Sequence, residues 1–203
     1  MKSIHLPLSF AILTLVSINF ISVTSCLAQN TLNSDEFSIY STLLQIWSTG
    51  DKNQELVIKN KTFVDDININ QIDKSKYLIK QMPSLSKEII DNFSSRNSKP
   101  IKIEDKFNLK LKVNVVGEEL DQIFNNSLQQ STKMEAWGVF REKNPKANGF
   151  ITISRVGFNK EKTQAFAYVA RHCDVLCGSS WYYFLVKRND KWTLQERLNA
   201  WVS

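Results

Sequence analysis

Four consecutive strand-patterned segments close the chain, and the links between them are too short for anything but hairpins. Segments 150–158, 163–171, 181–188 and 191–202 are separated by 159–162, by a loop bearing Cys173 and Cys177, and by Asn189-Asp190. A parallel return needs a crossover of about a dozen residues or more, so these links predict an antiparallel meander. Trp181-Tyr182-Tyr183-Phe184-Leu185-Val186 is apolar at both phases, the pattern of a strand covered on both faces. In the last segment Trp192, Leu194, Leu198, Ala200 and Val202 alternate with Thr193, Gln195, Arg197 and Asn199, which predicts one wet face with Trp201 on it.

Helical signals precede this meander. Asn33-Ser34-Asp35-Glu36 is a cap followed by first-turn acids, and Phe37, Tyr40, Leu43, Leu44 and Trp47 fall on one face, so a helix is expected over 34–48 with Gly50 as its stop. A strand is expected over 54–64. Ser84 is expected to cap a second helix carrying Leu85, Ile89 and Phe93, ended by 97–100. Segment 107–115 alternates without exception and predicts a strand. Gly117 opens a short helix with Glu118 and Glu119 at its positive end, and 131–148 reads as a loop anchored by Trp137 and Phe140. Helices first and strands last predict an α+β fold, with the N-terminal helices packed on one face of a curved antiparallel sheet. At 203 residues with 42% apolar and 23% charged side chains, the chain can bury a core of its own, so 29–203 is expected to form a single domain.

Residues 1–28 read as an export signal, with Lys2 as the positive start and an apolar stretch from Leu6 to Val23. Val23-Thr24-Ser25-Cys26 has the form of a lipobox, which would make Cys26 a lipidated first residue and tether the domain to a membrane surface. Ordinary cleavage after Ala28 is the alternative, and the protein is then periplasmic or secreted. Setting Cys26 aside leaves Cys173 and Cys177, an even pair suited to a disulfide in an oxidising compartment. So small a ring contributes roughly 2 kcal/mol by loop entropy. The formal charge of +6 is a scattered excess, and with export it argues against nucleic acid and for an envelope or extracellular partner.

The candidate site residues are few. With His5 in the signal, His172 is the one histidine left to the domain, which excludes a multi-histidine metal site. Its neighbour Cys173 would point to the opposite face of a strand, a poor arrangement for base and nucleophile. Glu118, Glu119 and Asp121, or Asp65 and Asp66, are acids of the kind that usually serve helix ends. Arg155 falls on an apolar strand face with Ile151 and Ile153, so a buried ion pair, with Glu196 as the expected partner, stands beside an anion-binding role. Trp201 is the tryptophan best placed for stacking on a ligand. No phosphate loop, nucleophile elbow, metal motif or calcium loop is present, so no cofactor, metal or catalytic residue is expected.

Ser154-Arg155-Val156-Gly157-Phe158-Asn159, Thr163-Gln164-Ala165, Cys173-x-x-x-Cys177-Gly178, Tyr182-Tyr183 and Lys191-Trp192, with Trp137, Pro145 and Gly149 upstream, resemble a family of uncharacterised exported bacterial proteins. The resemblance covers roughly the last third of the chain. Asp190-Lys191 departs from the usual Gly-Lys, so Asn189-Asp190 must make that turn. The terminal hairpin is also similar to those of cystatin-like and nuclear-transport-factor-like α+β rolls. These resemblances imply compartment and fold, and no reaction. The expected function is therefore a non-catalytic exported binding or scaffolding domain. Two alternatives stand beside it: a hydrolase- or isomerase-like enzyme using Arg155, His172 and a carboxylate in the concave sheet, and an inhibitor presenting the Cys173–Cys177 loop.

Overall fold

A computed structural model describes residues 31–47, 54–64, 74–125 and 130–203. The signal segment with Cys26, the stop Gly50 and the acids Asp65 and Asp66 lie outside the described residues. The fold is α+β: α1 (Ser34–Ile46), β1 (Glu55–Lys59), α2 (Lys74–Gln81), α3 (Lys87–Arg96), β2 (Lys112–Val116), α4 (Glu118–Asn125), α5 (Gln130–Lys143), β3 (Ala147–Ile153), β4 (Gly157–Phe158), β5 (Gln164–Asp174), β6 (Cys177–Arg188) and β7 (Lys191–Val202). The strands form one open sheet in the order β2-β1-β3-β5-β6-β7, with β4 beside β5.

The expected meander is present: β3, β5, β6 and β7 pair antiparallel in succession. Asn189 and Asp190 make the last turn with φ of 49° and 59°, the left-handed pair that a two-residue hairpin requires. The sheet as a whole is mixed, because β1 pairs parallel with both β2 and β3. Parallel pairing depends on helical crossovers, and one of them is α5, which lies where a loop was expected. In α5 only Ala136, Trp137 and Phe140 are buried among the described side chains, and Gly138 sits in its middle, so the helical period is faint in the sequence. The helix expected after Ser84 is α3, and it begins later, with Ser86 rather than Ser84 as its cap.

Helices cover both faces of the sheet rather than one. On one face α1 packs Phe37, Tyr40, Leu43 and Leu44 against Ile58, Ile153, Val169 and Leu185. On the other, α2 and α3 pack Leu78, Ile89 and Phe93 against Phe166, Tyr168 and Phe184. Here α4 and α5 add Leu120, Trp137 and Phe140 over Val57 and Phe150. The alternation over 107–111 belongs to the first face: Phe107 meets Phe37 edge-on at 5.2 Å and the amide of Asn108 donates to Ser41 Oγ, so this stretch docks on α1 and only 112–116 joins the sheet.

α3 lies close enough to β4 that a side chain cannot intervene. A Cβ at Gly157 would stand 2.7 Å from the Phe93 backbone, whereas one at Gly138 would meet nothing within 4 Å. Gly157→Ala is expected to lower stability by about 2 kcal/mol or more through overpacking. Gly138→Ala is expected to raise it by up to about 1 kcal/mol through helix propensity. Urea unfolding of the two variants measures both, and equal midpoints would refute the close docking of α3.

Candidate functional site

Arg155 is held at a break in the sheet. Residues 154–156 separate β3 from β4, and the backbone groups left without a strand partner are taken up by side chains. Buried Asn97, at the C-terminal end of α3, accepts from the Arg155 amide at 2.7 Å and donates to the Arg155 carbonyl at 2.9 Å. Tyr40 donates to the Ser154 carbonyl at 2.5 Å, and Ser154 Oγ accepts from the Tyr168 amide at 3.0 Å.

The partner of the Arg155 guanidinium is Glu36 of α1, not Glu196. Arg155 Nε and Nη2 reach Oε1 and Oε2 at 3.3 and 3.0 Å. Glu36 also accepts from the amides of Val156 and Asn33, the latter completing the capping box of α1. A second guanidinium, Arg96 Nη2, lies 2.9 Å from Oε2. Glu196 instead faces Phe184 across β6 and β7. Burial pushes the Glu36 carboxyl upward, but the Arg155 hydrogen bond and the Arg96 charge outweigh it and hold the group below the ordinary carboxylate range.

His172 is a stacked side chain far from this cluster. Tyr168, which pairs with Ser154, and His172 are four residues apart on β5, about 13 Å at strand spacing. The imidazole stacks on Phe150 at 4.9 Å and tilts over Trp201 at 5.4 Å. Burial, with the Lys59 charge, lowers its pKa. Cys173 and Cys177 are joined as a disulfide across the β5–β6 hairpin. Arg155, His172 and a carboxylate therefore do not share a cleft. Glu119 and Asp121 are engaged at the surface by Lys143 and Lys59 at 2.8 and 2.7 Å.

Trp201 lies on the face opposite Trp192 and Leu194, as alternation predicts, but α2 packs over that face, so the indole is half-buried instead of wet. Register shifts in the β6–β7 ladder leave Gln195 and Ala200 unpaired, and each such bulge reverses the phase of the residues beyond it. Trp192 and Leu194 pack on the α1 face, Leu198 and Trp201 on the α2–α3 face. Val202, expected inside, is 70% exposed.

The result is an aromatic groove of about 450 Å³ between α2 and the ends of β6 and β7. Phe63 stacks on Tyr168 at 4.5 Å, and Tyr168 meets Tyr182 at 5.2 Å. Trp201 Nε1 donates to the Tyr168 hydroxyl at 3.0 Å, which fixes the indole. Lys74 Nζ lies 5.3 Å above the Tyr182 ring, and Tyr77 stands 49% exposed at the rim. Asn199 donates to the carbonyls of Ser180 and Trp201. None of the described residues lining the groove is a carboxylate. Such an arrangement of rings, an ammonium and an amide can stack on and hydrogen-bond a ligand. Tyr77, Tyr168 and Lys74 were not legible as site residues, because nothing in sequence spacing links them to Trp201.

Among the described residues no cluster of His, Cys, Asp and Glu is arranged to hold a metal, and no helix is long and apolar enough to cross a membrane. No protein-family model matches the chain, and no curated protein and no solved structure matches it.

Acid should weaken the cluster at Glu36. The folded-state pKa of this carboxyl is depressed, so its contribution to stability is complete above the ordinary value of 4.5 and is lost as pH falls through the folded value. Glu36→Gln is expected to cost about 3 kcal/mol at pH 7 by leaving two guanidinium groups around a neutral partner. The gap between wild type and variant should narrow as the pH drops below the ordinary carboxylate value. Urea melts across that range measure it, and a gap independent of pH would rule out an ionised Glu36.

Proposed function

We propose that the protein is an exported, non-catalytic binding domain that holds a glycan segment in the groove between α2 and β7. It is secreted, periplasmic or tethered through Cys26. The observation that carries the reading is the continuous run of ring faces at Phe63, Tyr168, Tyr182 and Trp201, bordered by the Lys74 ammonium as donor and the Asn199 amide oxygen as acceptor. Flat apolar faces edged by a donor and an acceptor suit a sugar ring, whose faces are apolar and whose rim carries hydroxyl groups. Lys74 and the excess of basic side chains favour acidic glycans. A disulfide suits the oxidising compartments in which such polymers occur.

Tyr77 is the variant of choice because its exposure spares the core. Tyr77→Ala is expected to weaken binding of acidic cell-envelope oligosaccharides by several-fold to about ten-fold, the worth of one lost aromatic contact. Titration of tryptophan fluorescence reads the loss, with the melting temperature as a check on folding. Absence of saturable binding by the wild type, or turnover of the oligosaccharide, would overturn the proposal.

A second reading rests on a separate feature. Leu176 is 79% exposed at the tip of the disulfide-closed hairpin, and Asp174 braces that tip by accepting from the Val175 amide and from Arg141. A rigid loop presenting one apolar side chain is the shape of an inhibitor that inserts into the cleft of an exported enzyme. Inhibition within a panel of secreted hydrolases, abolished by Leu176→Asp, is the expected outcome. Equal inhibition by the variant would remove the hairpin from consideration.

A further inference from the structure

The cluster around Glu36 holds one more positive charge than its carboxylate neutralises. Oε1 accepts from Arg155 Nε and the Val156 amide, and Oε2 from Arg155 Nη2 and the Asn33 amide, so both oxygens are filled before Arg96 is counted. Arg96 Nη2 is near Oε2 at 2.9 Å, yet Nε and Nη2 are buried with no hydrogen bond among the described residues. Arg96 is thus held beside the carboxylate by charge alone through this inward edge, and only its remaining, less buried edge can meet a group outside.

The rest of Arg96 opens onto a cavity. Its side chain keeps 23% exposure, its guanidinium lies 5.6 Å from the centre of the Phe158 ring, and it lines a recess of about 440 Å³ between α3 and the turn 159–162. Two further cations, Lys160 and Lys162, line the same recess, and neither forms an ion pair among the described residues. Asn159 holds the turn rigid by accepting from the amides of Thr163 and Gln164. Asn92 accepts from the Phe158 amide, which leaves its Nδ2 donor to the recess. The one acid in the lining, Glu88, accepts from the Lys160 amide at 3.0 Å.

We infer that this recess is a binding site for a phosphate monoester group. Three cations face one carboxylate there, a surplus that a dianion balances, and a guanidinium fixed on an aromatic ring beside two ammonium groups is suited to multiply charged oxyanions. None of its lining residues belongs to the aromatic groove, so the inference stands apart from the glycan reading.

The test uses the full chain and inorganic phosphate at constant ionic strength, with chloride as the control. Wild type should bind phosphate saturably at one site by calorimetry. Lys160→Ala/Lys162→Ala, two exposed side chains outside the core, should bind at least ten-fold more weakly with an unchanged melting temperature in chloride. Asn92→Ala should weaken binding while leaving the lysines in place. Vesicles distinguish the source of the group. Capture on phosphatidic acid but not phosphatidylcholine vesicles, lost in the double variant, identifies a lipid headgroup. Phosphate binding without vesicle capture identifies a soluble phosphate ester. No binding of either probe, or equal binding by the double variant, overturns the inference.

Discussion

The buried carboxylate of Glu36 is the constraint on which most of the fold depends. A charge fully removed from water is tolerated only when it is paired and hydrogen-bonded. Glu36 meets that requirement through groups from different parts of the chain: the Asn33 amide before α1, the Val156 amide and Arg155 side chain between β3 and β4, and Arg96 at the end of α3. None of these can shift without leaving charge unpaired. The cluster therefore sets where α1 crosses the sheet, where α3 ends, and where the run from β3 into β4 must break. Asn97 completes the arrangement by acting as a one-residue strand partner for Arg155.

The sheet shows how small irregularities build a surface. Two bulges in the last strand, at Gln195 and Ala200, reverse the phase twice: the first turns Leu198 to the face that carries Tyr168 and Tyr182, and the second keeps Trp201 on that face beside it. Without the first bulge Leu198 would face α1 and leave the groove. The hydrogen bond from Trp201 to the Tyr168 hydroxyl then holds the indole in place against the neighbouring rings. The disulfide does comparable work nearby, closing the hairpin next to His172, whose ring is already held between Phe150 and Trp201.

Local regularities are visible in the sequence, and long-range choices are not. The α+β class, the four-strand meander, the first helix with its cap at Asn33, the helix after Gly117, the Asn189-Asp190 turn and the pairing of Cys173 with Cys177 all come from residues close together in the chain. Their causes are local: side-chain period, cap chemistry, loop length and cysteine parity. Periodicity misleads where the deciding contact is distant. Segment 107–111 alternates because it lies on α1, not because it pairs in the sheet. α5 is a helix because Trp137 and Phe140 dock on Phe150, despite a weak helical period.

Sequence by itself determined that Arg155, on an apolar strand face, would need an anionic partner and that the terminal strands would run antiparallel, since both depend only on charge burial and loop length. Tertiary structure alone decided which acid it would be. Glu36, 119 residues away, reaches Arg155 because α1 crosses the break in the sheet, whereas Glu196 on the neighbouring part of the chain is carried elsewhere by the register of β7. The same holds for the two recesses. Each draws its side chains from separate elements whose approach is set by packing, and packing is a property of the whole chain that no local pattern encodes.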